Sequence, residues 1–463
     1  MERDVVIAGG GLAGLSCAKV LVERGHRVRI YEGLPYLGGR AATFRDADGD
    51  WVEQGLHVFL GAYSEFRRLM VDVGIDPDRA LAWMTELRLE DSSTGVEATY
   101  ANDPLRAPLA TLLRGLGQND FLSLKDKLSM VPLLAPGMLG YERLRRTFDQ
   151  MTVTEWWRRA NGSELVLERF IRPFCRAIQF TEPEEFSAFN FLVWVHQLFR
   201  HPTELRVAGY RGARDETIFQ PLGRWLGERG AIIRCDATVA RIETEGDRRV
   251  RALVLESGER IEGDLFVSAT PVWALRRLLP DELRRIEFFS ALDRLPIAPA
   301  ISVQLFFDRI VVPDACYTLV GHSAACAYQD QHTTAYPREG SRLSVIVSPA
   351  DEWMERSDDD VVAHVIDRIG QSHIAIQDAP IVKRIVLRHR EHLVRPIPGA
   401  MSQRPTQKTP LGNFFLAGDW TEQRFMSCQE GAVRSGLICA DAILASAARE
   451  TAVPAKVRDR AHP

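Results

Sequence analysis

Apolar and polar positions alternate along this chain with two different periods. Val5-Val-Ile-Ala8 is a short apolar run set directly against Gly9-Gly-Gly, which predicts a strand ending in a turn. From Leu12 apolar residues recur at helical spacing to about Glu23. Gly25-His26 then turns the chain into a second strand, Arg27-Val-Arg-Ile-Tyr31. Residues 103 to 200 read as helical and are rich in Leu, Phe, Trp and Met. Glu216 to Arg229 predicts a helix and Ala231-Ile-Ile-Arg234 a strand. Thr238 to Ile242, Ala252 to Glu256 and Arg260 to Ala269 predict a small sheet and a returning parallel strand. Ala300 to Phe307 and Leu343 to Val347 read as strands that floor a cavity. Asn413 to Asp419 reads as a buried strand followed by a helix to about Leu444. This order of elements is that of an α/β chain.

The glycines after the first strand carry chemistry. Gly9, Gly11 and Gly14 stand at G-x-G-x-x-G spacing between a strand and a helix. Gly9 permits the sharp turn, Gly11 lets the backbone approach a pyrophosphate, and Gly14 lets the helix pack close to the sheet. The helix start, with Leu12 and Ala13 in its first turn, points amides and a positive dipole end at the phosphates. Glu32, about 20 residues on, is placed to accept hydrogen bonds from ribose hydroxyls. Leu37-Gly38-Gly39-Arg40 follows, in which the glycines leave room for close backbone approach and Arg40 can set a fork of donors on a phosphate. Near the other end, Gly418-Asp419 closes a strand, and a glycine-rich helix start at Glu430-Gly431-Ala432 can offer its amides to a ring.

Together these three segments resemble the FAD-containing amine oxidase and carotenoid desaturase superfamily. The resemblance implies a Rossmann-type FAD-binding domain interleaved with a largely helical plus β-sheet substrate domain, and non-covalently held FAD in preference to NAD. It implies that Asp419 contacts the ribityl or pyrophosphate region and that the Val239 backbone lies against adenine. It also adds Gly55, Leu56 and His57 to the cofactor-binding set. The expected FAD domain is assembled from about 1–65, 215–285 and 396–446, and the substrate domain from 66–214 and 286–395, with 447–463 a disordered tail. Glu53-Gln-Gly-Leu-His-Val-Phe-Leu-Gly-Ala-Tyr-Ser64, the passage from Ser348 to Asp358, and that from Arg404 to Gly418 are similar to plant and cyanobacterial carotene desaturases of the phytoene and zeta-carotene type. Asp419-Trp-Thr and the passage from Cys428 to Gly436 also resemble the hydroxysqualene dehydroxylase group.

Composition narrows the partners. A net charge of −4 on 463 residues gives no reason to expect nucleic acid, and seven scattered cysteines without a C-x-x-C pair suggest neither a disulfide framework nor a metal site. Arginine far outnumbers lysine, which fits a GC-rich bacterial source. The first strand begins at about Asp4, leaving no room for a signal or transit peptide, and no apolar run reaches the ~18 residues of a spanning helix. Leu109 to Leu116, Phe121-Leu122 and Leu128 to Leu139, followed by Arg143, Arg145 and Arg146, suit a monotopic helix pair on the cytoplasmic face of a membrane, with arginines at anionic head groups. A buried helical hairpin with a solvated basic end is the alternative.

The resemblance implies an apolar polyprenoid substrate, a carotene such as phytoene or zeta-carotene, and a quinone or other electron acceptor; a homo-oligomer is compatible with it. Making a double bond from CH2-CH2 removes a hydride equivalent and a proton. Flavin N5 can take the hydride, and neighbouring alkenes stabilise the developing allylic cation, so no strong base is obligatory. His57 and Glu430 are the side chains near the expected flavin with acid-base chemistry. A satisfied core histidine and a helix N-terminal acid are their structural alternatives. A reductive dehydroxylase of squalene precursors is the closer competing activity, and an amine oxidase of the same fold the more distant one. Amine oxidases of this kind carry a Tyr two residues before Glu-Gly-Ala, where this chain has Cys428.

Overall fold

The computed structural model describes residues 2–91, 93–101, 121–133, 141–200, 206–246, 248–313 and 317–452. A five-stranded, all-parallel sheet runs in the order Ile232–Arg234, Arg27–Tyr31, Asp4–Ala8, Leu265–Ser268 and Phe414–Leu416. Its central strands are apolar on both faces because both are covered, one by helices Leu12–Glu23, Gln220–Gly227 and Gln429–Ala452, the other by a three-stranded antiparallel sheet of Val239–Glu245, Arg249–Leu255 and Arg260–Glu262 with helix Val272–Leu278; Val5, Val6, Ile7, Phe266 and Val267 are fully buried. Two of these helices, Leu12–Glu23 and Gln429–Ala452, cross at small residues. Ser16 Oγ donates to Val433 O at 3.2 Å, and a Cβ on Gly436 would overlap Ser16 and Ala13. That close crossing joins the two ends of the chain in one layer.

A second, seven-stranded sheet has the order Ile381–Val394, Ile297–Phe307, Arg342–Val347, Ala325–Asp330, Tyr317–Gly321, Glu86–Asp91 and Val96–Ala101. It is antiparallel except where Tyr317–Gly321 runs parallel to Glu86–Asp91. The period-2 alternation of the longest strands sends Ile301, Val303, Leu305 and Phe307 to one face, where helix Asp358–Gly370 covers them. Ala298 and Ala300 face the other way, toward helices Val153–Arg159, Arg172–Gln179 and Ala188–Arg200. A small sheet of Phe59–Leu60, Val207–Tyr210 and Leu81–Trp83 links the two layers.

Several elements differ from the sequence expectation. The last helix continues to Ala452, past the boundary at 447 where a disordered tail was expected. Residues 445–449, Ala-Ser-Ala-Ala-Arg, include strong helix formers and extend it. Residues 216–229 begin in a π-helical turn, Asp215–Phe219, before the α-helix Gln220–Gly227. Leu109 to Leu116 and residues 134 to 139 lie outside the described residues. Arg145 does not reach outward as expected: it pairs with Glu422 at 3.4 Å, whereas Arg143 and Arg146 are exposed. Among the described residues no helix is long and apolar enough to cross a membrane. Among those residues, too, the one acidic cluster tight enough to share a cation, Asp46, Asp48 and Asp50, closes on the Lys383 ammonium at 2.7, 2.8 and 2.6 Å.

Candidate cofactor site and adjoining cavity

A cavity of about 1020 Å³ starts at the carboxyl ends of the parallel strands and extends to the antiparallel sheet. One limb is lined by backbone and polar groups: Gly9, Gly11, Leu12, Ala13, Glu32, Gly38, Gly39, Arg40, Val239, Gly418 and Asp419. The other is lined by Leu87, Leu89, Met130, Phe170, Phe174, Ile178, Tyr317, Leu319 and Ile346. Gly55, Leu56, His57 and Ala432 also line it.

The glycines divide by what surrounds them. Gly9 has φ +108°, and a Cβ there would lie 2.8 Å from Ala269 O; a Cβ on Gly14 would run into Gly9 O. The fold itself requires both. Gly11 has φ −80° and ψ 178°, open to any residue, and a Cβ would meet nothing closer than Gly38 O and Gly39 Cα at 4.0 Å. The chain therefore does not need glycine at 11, and the space it leaves belongs to the cavity. The helix behind it has no side-chain cap and no acid in its first turn, so its amides and dipole end face the cavity unopposed. Gly14, packed under the turn, does not line the cavity.

Glu32 accepts hydrogen bonds from Gly10 N (2.6 Å) and Leu34 N (2.9 Å). Burial nevertheless raises its pKa, these amides opposing the shift. Arg40 does not present the free fork expected of it. One Nη bonds Asp419 Oδ1 at 2.5 Å, the other donates to His392 O at 2.9 Å, and the guanidinium lies 5.6 Å from the Trp273 ring. Arg40 and Asp419 thus reach the cavity as a pair. Buried Arg404, which the sequence reading missed, holds the Asp419 loop by donating to the carbonyls of Asp419 (2.9 Å), Gln423 (2.8 Å) and Thr421.

Two expected contacts are corrected, and a third, Gly38, lines the cavity with a second role in packing. Gly38, at φ +107°, faces the Phe219 ring 2.5 Å from its would-be Cβ, so its lost side chain makes room for packing as well as for the cavity rim. Gly431 is packed against Phe425 O away from the cavity, and its amide points at Cys428 Sγ (3.4 Å). Glu430 turns away from the cavity too. Its carboxylate accepts from Glu65 N (3.1 Å) and Phe66 N (2.9 Å) at the start of helix Ser64–Asp72 and pairs with Arg434 at 2.7 Å. This is a cap between helices, because an acid at a helix start satisfies unpaired amides.

Beside Gly55 the chain buries an ion pair whose partner Arg214 no motif marks. Arg214 and Glu53, 1% and 2% exposed, meet at 3.1 Å, and Arg214 also donates to Ala41 O (2.7 Å) and Gly55 O (3.4 Å). Next to it stand three histidines, of which sequence reading found only His57. His57 Nδ1 is 2.7 Å from Gly55 O and His389 Nε2 is 2.7 Å from Gln54 O; since a carbonyl only accepts, each of those nitrogens carries the proton. His392 stacks on Phe180 at 5.3 Å and lies 5.1 Å from His389. Burial first, then the nearby cations Arg214 and Arg40, lowers His57 to about 3; burial likewise lowers His389 and His392. All three imidazoles are neutral at pH 7. His389 and His392 sit three apart on a strand, a spacing without any sequence signature.

The uncapped helix, the open side of Gly11, the Glu32 carboxylate and the cavity at a strand-order switch are what a dinucleotide requires. Comparison with known proteins agrees. The family model "Flavin containing amine oxidoreductase" matches residues 12–444. The chain is 33% identical to 15-cis-phytoene desaturase of Synechococcus elongatus, over 95% of this chain and 96% of that one. It is 30% identical to a probable zeta-carotene desaturase of the same organism, over 95% and 98%. A redesigned putrescine oxidase shares the fold at TM-score 0.73, with 16% identity over 96% of this chain and 99% of that one. With the family model spanning nearly every element that builds the cradle, the chain belongs to the flavin-containing amine oxidoreductases and its cofactor is FAD.

Proposed function

We propose that the protein is an FAD-dependent desaturase that converts a CH2-CH2 unit of an apolar polyprenoid, phytoene or zeta-carotene, into CH=CH. One observation carries the reading: the limb leading away from the cradle is apolar. The charged side chains lining the cavity are Glu32, Arg40, Glu256, Arg277, Glu391 and Asp419. Arg40 and Asp419 satisfy each other and Arg277 pairs with Glu391 at 2.9 Å, and among the described residues the stretch lined by Leu87, Leu89, Phe174 and Ile346 includes no carboxylate to receive an ammonium. Cys428 lines the cavity as a neutral thiol, pushed up to about 12 by burial. The identity to the phytoene enzyme, 33% against 30%, favours phytoene.

FAD, when bound, supplies a ring that takes up a hydride equivalent. Everything else is positioning. The apolar limb holds the hydrocarbon and excludes water, and the aromatic rings of Phe174 and Phe180 in its wall are the groups proposed to stabilise a developing allylic cation. A quinone is the proposed acceptor of the electrons. The test is anaerobic bleaching of the ~450 nm flavin band by phytoene, zeta-carotene, a hydroxysqualene and benzylamine side by side, with product analysis. Bleaching by a carotene with gain of a conjugated double bond is expected. Bleaching by benzylamine alone, or dehydroxylation under added reductant without bleaching by any carotene, overturns the reading.

The substrate is proposed to arrive from a membrane surface. Helix Leu124–Ser129, closed by a capping box between Ser123 and Asp126, displays Leu124 and Leu128 four residues apart, 74% and 63% exposed, with Val131 58% exposed just beyond. Met130, between them, lines the cavity. Replacing Leu128 and Val131 by Glu should weaken co-sedimentation with anionic liposomes about tenfold or more, two apolar side chains being worth about 1.5–3 kcal/mol each, while flavin content is unchanged. Unaltered sedimentation would disprove attachment through this patch.

A further inference from the structure

Oxidation of a CH2-CH2 unit releases a proton as well as a hydride equivalent, and the apolar limb excludes the water that would otherwise take it. The cavity wall next to the cradle supplies an alternative. Consecutive carbonyls, Gln54 O and Gly55 O, pin two imidazoles in opposite tautomers, each at 2.7 Å. The proton of His57 is committed to Gly55 O, so its Nε2 carries a lone pair. That nitrogen has no hydrogen-bond partner among the described residues, on a half-buried side chain that lines the cavity. Asp419, a carboxylate of the cradle, is already taken by Arg40, and Glu430 is turned away. Gly55, which carries the orienting carbonyl, is itself braced by Arg214.

We infer that Nε2 of His57 is the proton acceptor of the desaturation, an assignment that rests on the desaturase reading above. The C-H bond on the carbon next to the one that gives up its hydride equivalent breaks. Its electron pair becomes the new π bond, its proton goes to Nε2, and the two electrons of the hydride go to the bound FAD. A C-H bond beside an allylic cation is far more acidic than an imidazolium, so a weak base suffices. The groups facing His57 keep its lone pair available: Arg214 and Arg40 are cations already paired with Glu53 and Asp419, and His389 and His392 are neutral rings on the neighbouring strand. Burial holds His57 near 3, so it stays unprotonated from neutral pH down to about 4.

The experiment compares FAD-loaded wild type with His57→Gln in anaerobic single turnovers with phytoene and zeta-carotene. Failure of the wild type to bleach with either refutes the desaturase reading itself. With the wild type active, His57→Gln should retain FAD and substrate affinity but bleach about a hundredfold more slowly, and the wild-type rate should stay flat from pH 9 to about 5. In ¹⁵N-histidine NMR of the wild-type holoprotein, His57 should be the Nδ1-H tautomer at pH 7, a measurement that holds even if the variant does not load flavin. A variant bleaching within threefold of wild type, or an Nε2-H tautomer or imidazolium at residue 57, overturns the assignment.

Discussion

Gly11→Val yields a folded, colourless protein. Valine at this position has an ordinary backbone conformation and no neighbour within 4.0 Å of its Cβ except at that limit, so circular dichroism and the unfolding midpoint stay near wild type. Its branched side chain projects into the space over the helix N-terminus where the pyrophosphate must approach backbone amides. The 450 nm absorbance per mole of purified protein is therefore expected to fall by more than about tenfold, the consequence of losing charge-assisted hydrogen bonds worth about 1.5–3 kcal/mol each. Gly14→Val separates the two roles of glycine in the same loop: its Cβ overlaps Gly9 O, and the variant loses fold and flavin together. If Gly11→Val keeps its flavin, the cradle has been assigned to the wrong loop.

Arg214→Met is expected to destabilise the protein by about 3–5 kcal/mol, the cost of leaving one partner of a buried ion pair alone. Among the described residues Glu53 would keep neutral donors, Gln331 Nε2 at 3.0 Å, Tyr336 OH at 3.2 Å and Ser344 Oγ at 3.4 Å. Ala41 O and Gly55 O, on the segments that carry the Gly-Gly-Arg turn and His57, would lose donors as well. Urea unfolding followed by fluorescence measures the loss. A double variant with Glu53→Gln should recover part of it, because the uncompensated charge is gone. A single-variant loss under about 1 kcal/mol would show that the pair behaves like an exposed one.

Local chemistry by itself determined the beginning of the site. An apolar run against three spaced glycines states its strand, turn and helix within a dozen residues, and the Gly9, Gly11 and Gly14 loop is where they indicate it. Resemblance through Leu37 to Arg40 and Gly418-Asp419 reached the family and the cofactor that the comparisons show. What the chain order concealed was which side of each residue faces which neighbour. Gly431 and Glu430 carry the spacing of a cofactor motif, yet the pitch of helix Gln429–Ala452 sends them to Phe425 and helix Ser64–Asp72 and turns Ala432 to the cavity instead. Arg40 has the composition of a phosphate fork, but folding brings up Asp419 from 379 positions away to occupy it. Arg214, His389 and His392 had no motif at all, and Arg404 stood in a recognised passage without a role of its own, because a buried ion pair, a loop clasp and a histidine wall are made by long-range packing. Periodicity reports what a residue does to its own helix or strand; only the tertiary structure decides the partner of a buried charge, since the low-dielectric interior makes that choice among residues distant in sequence.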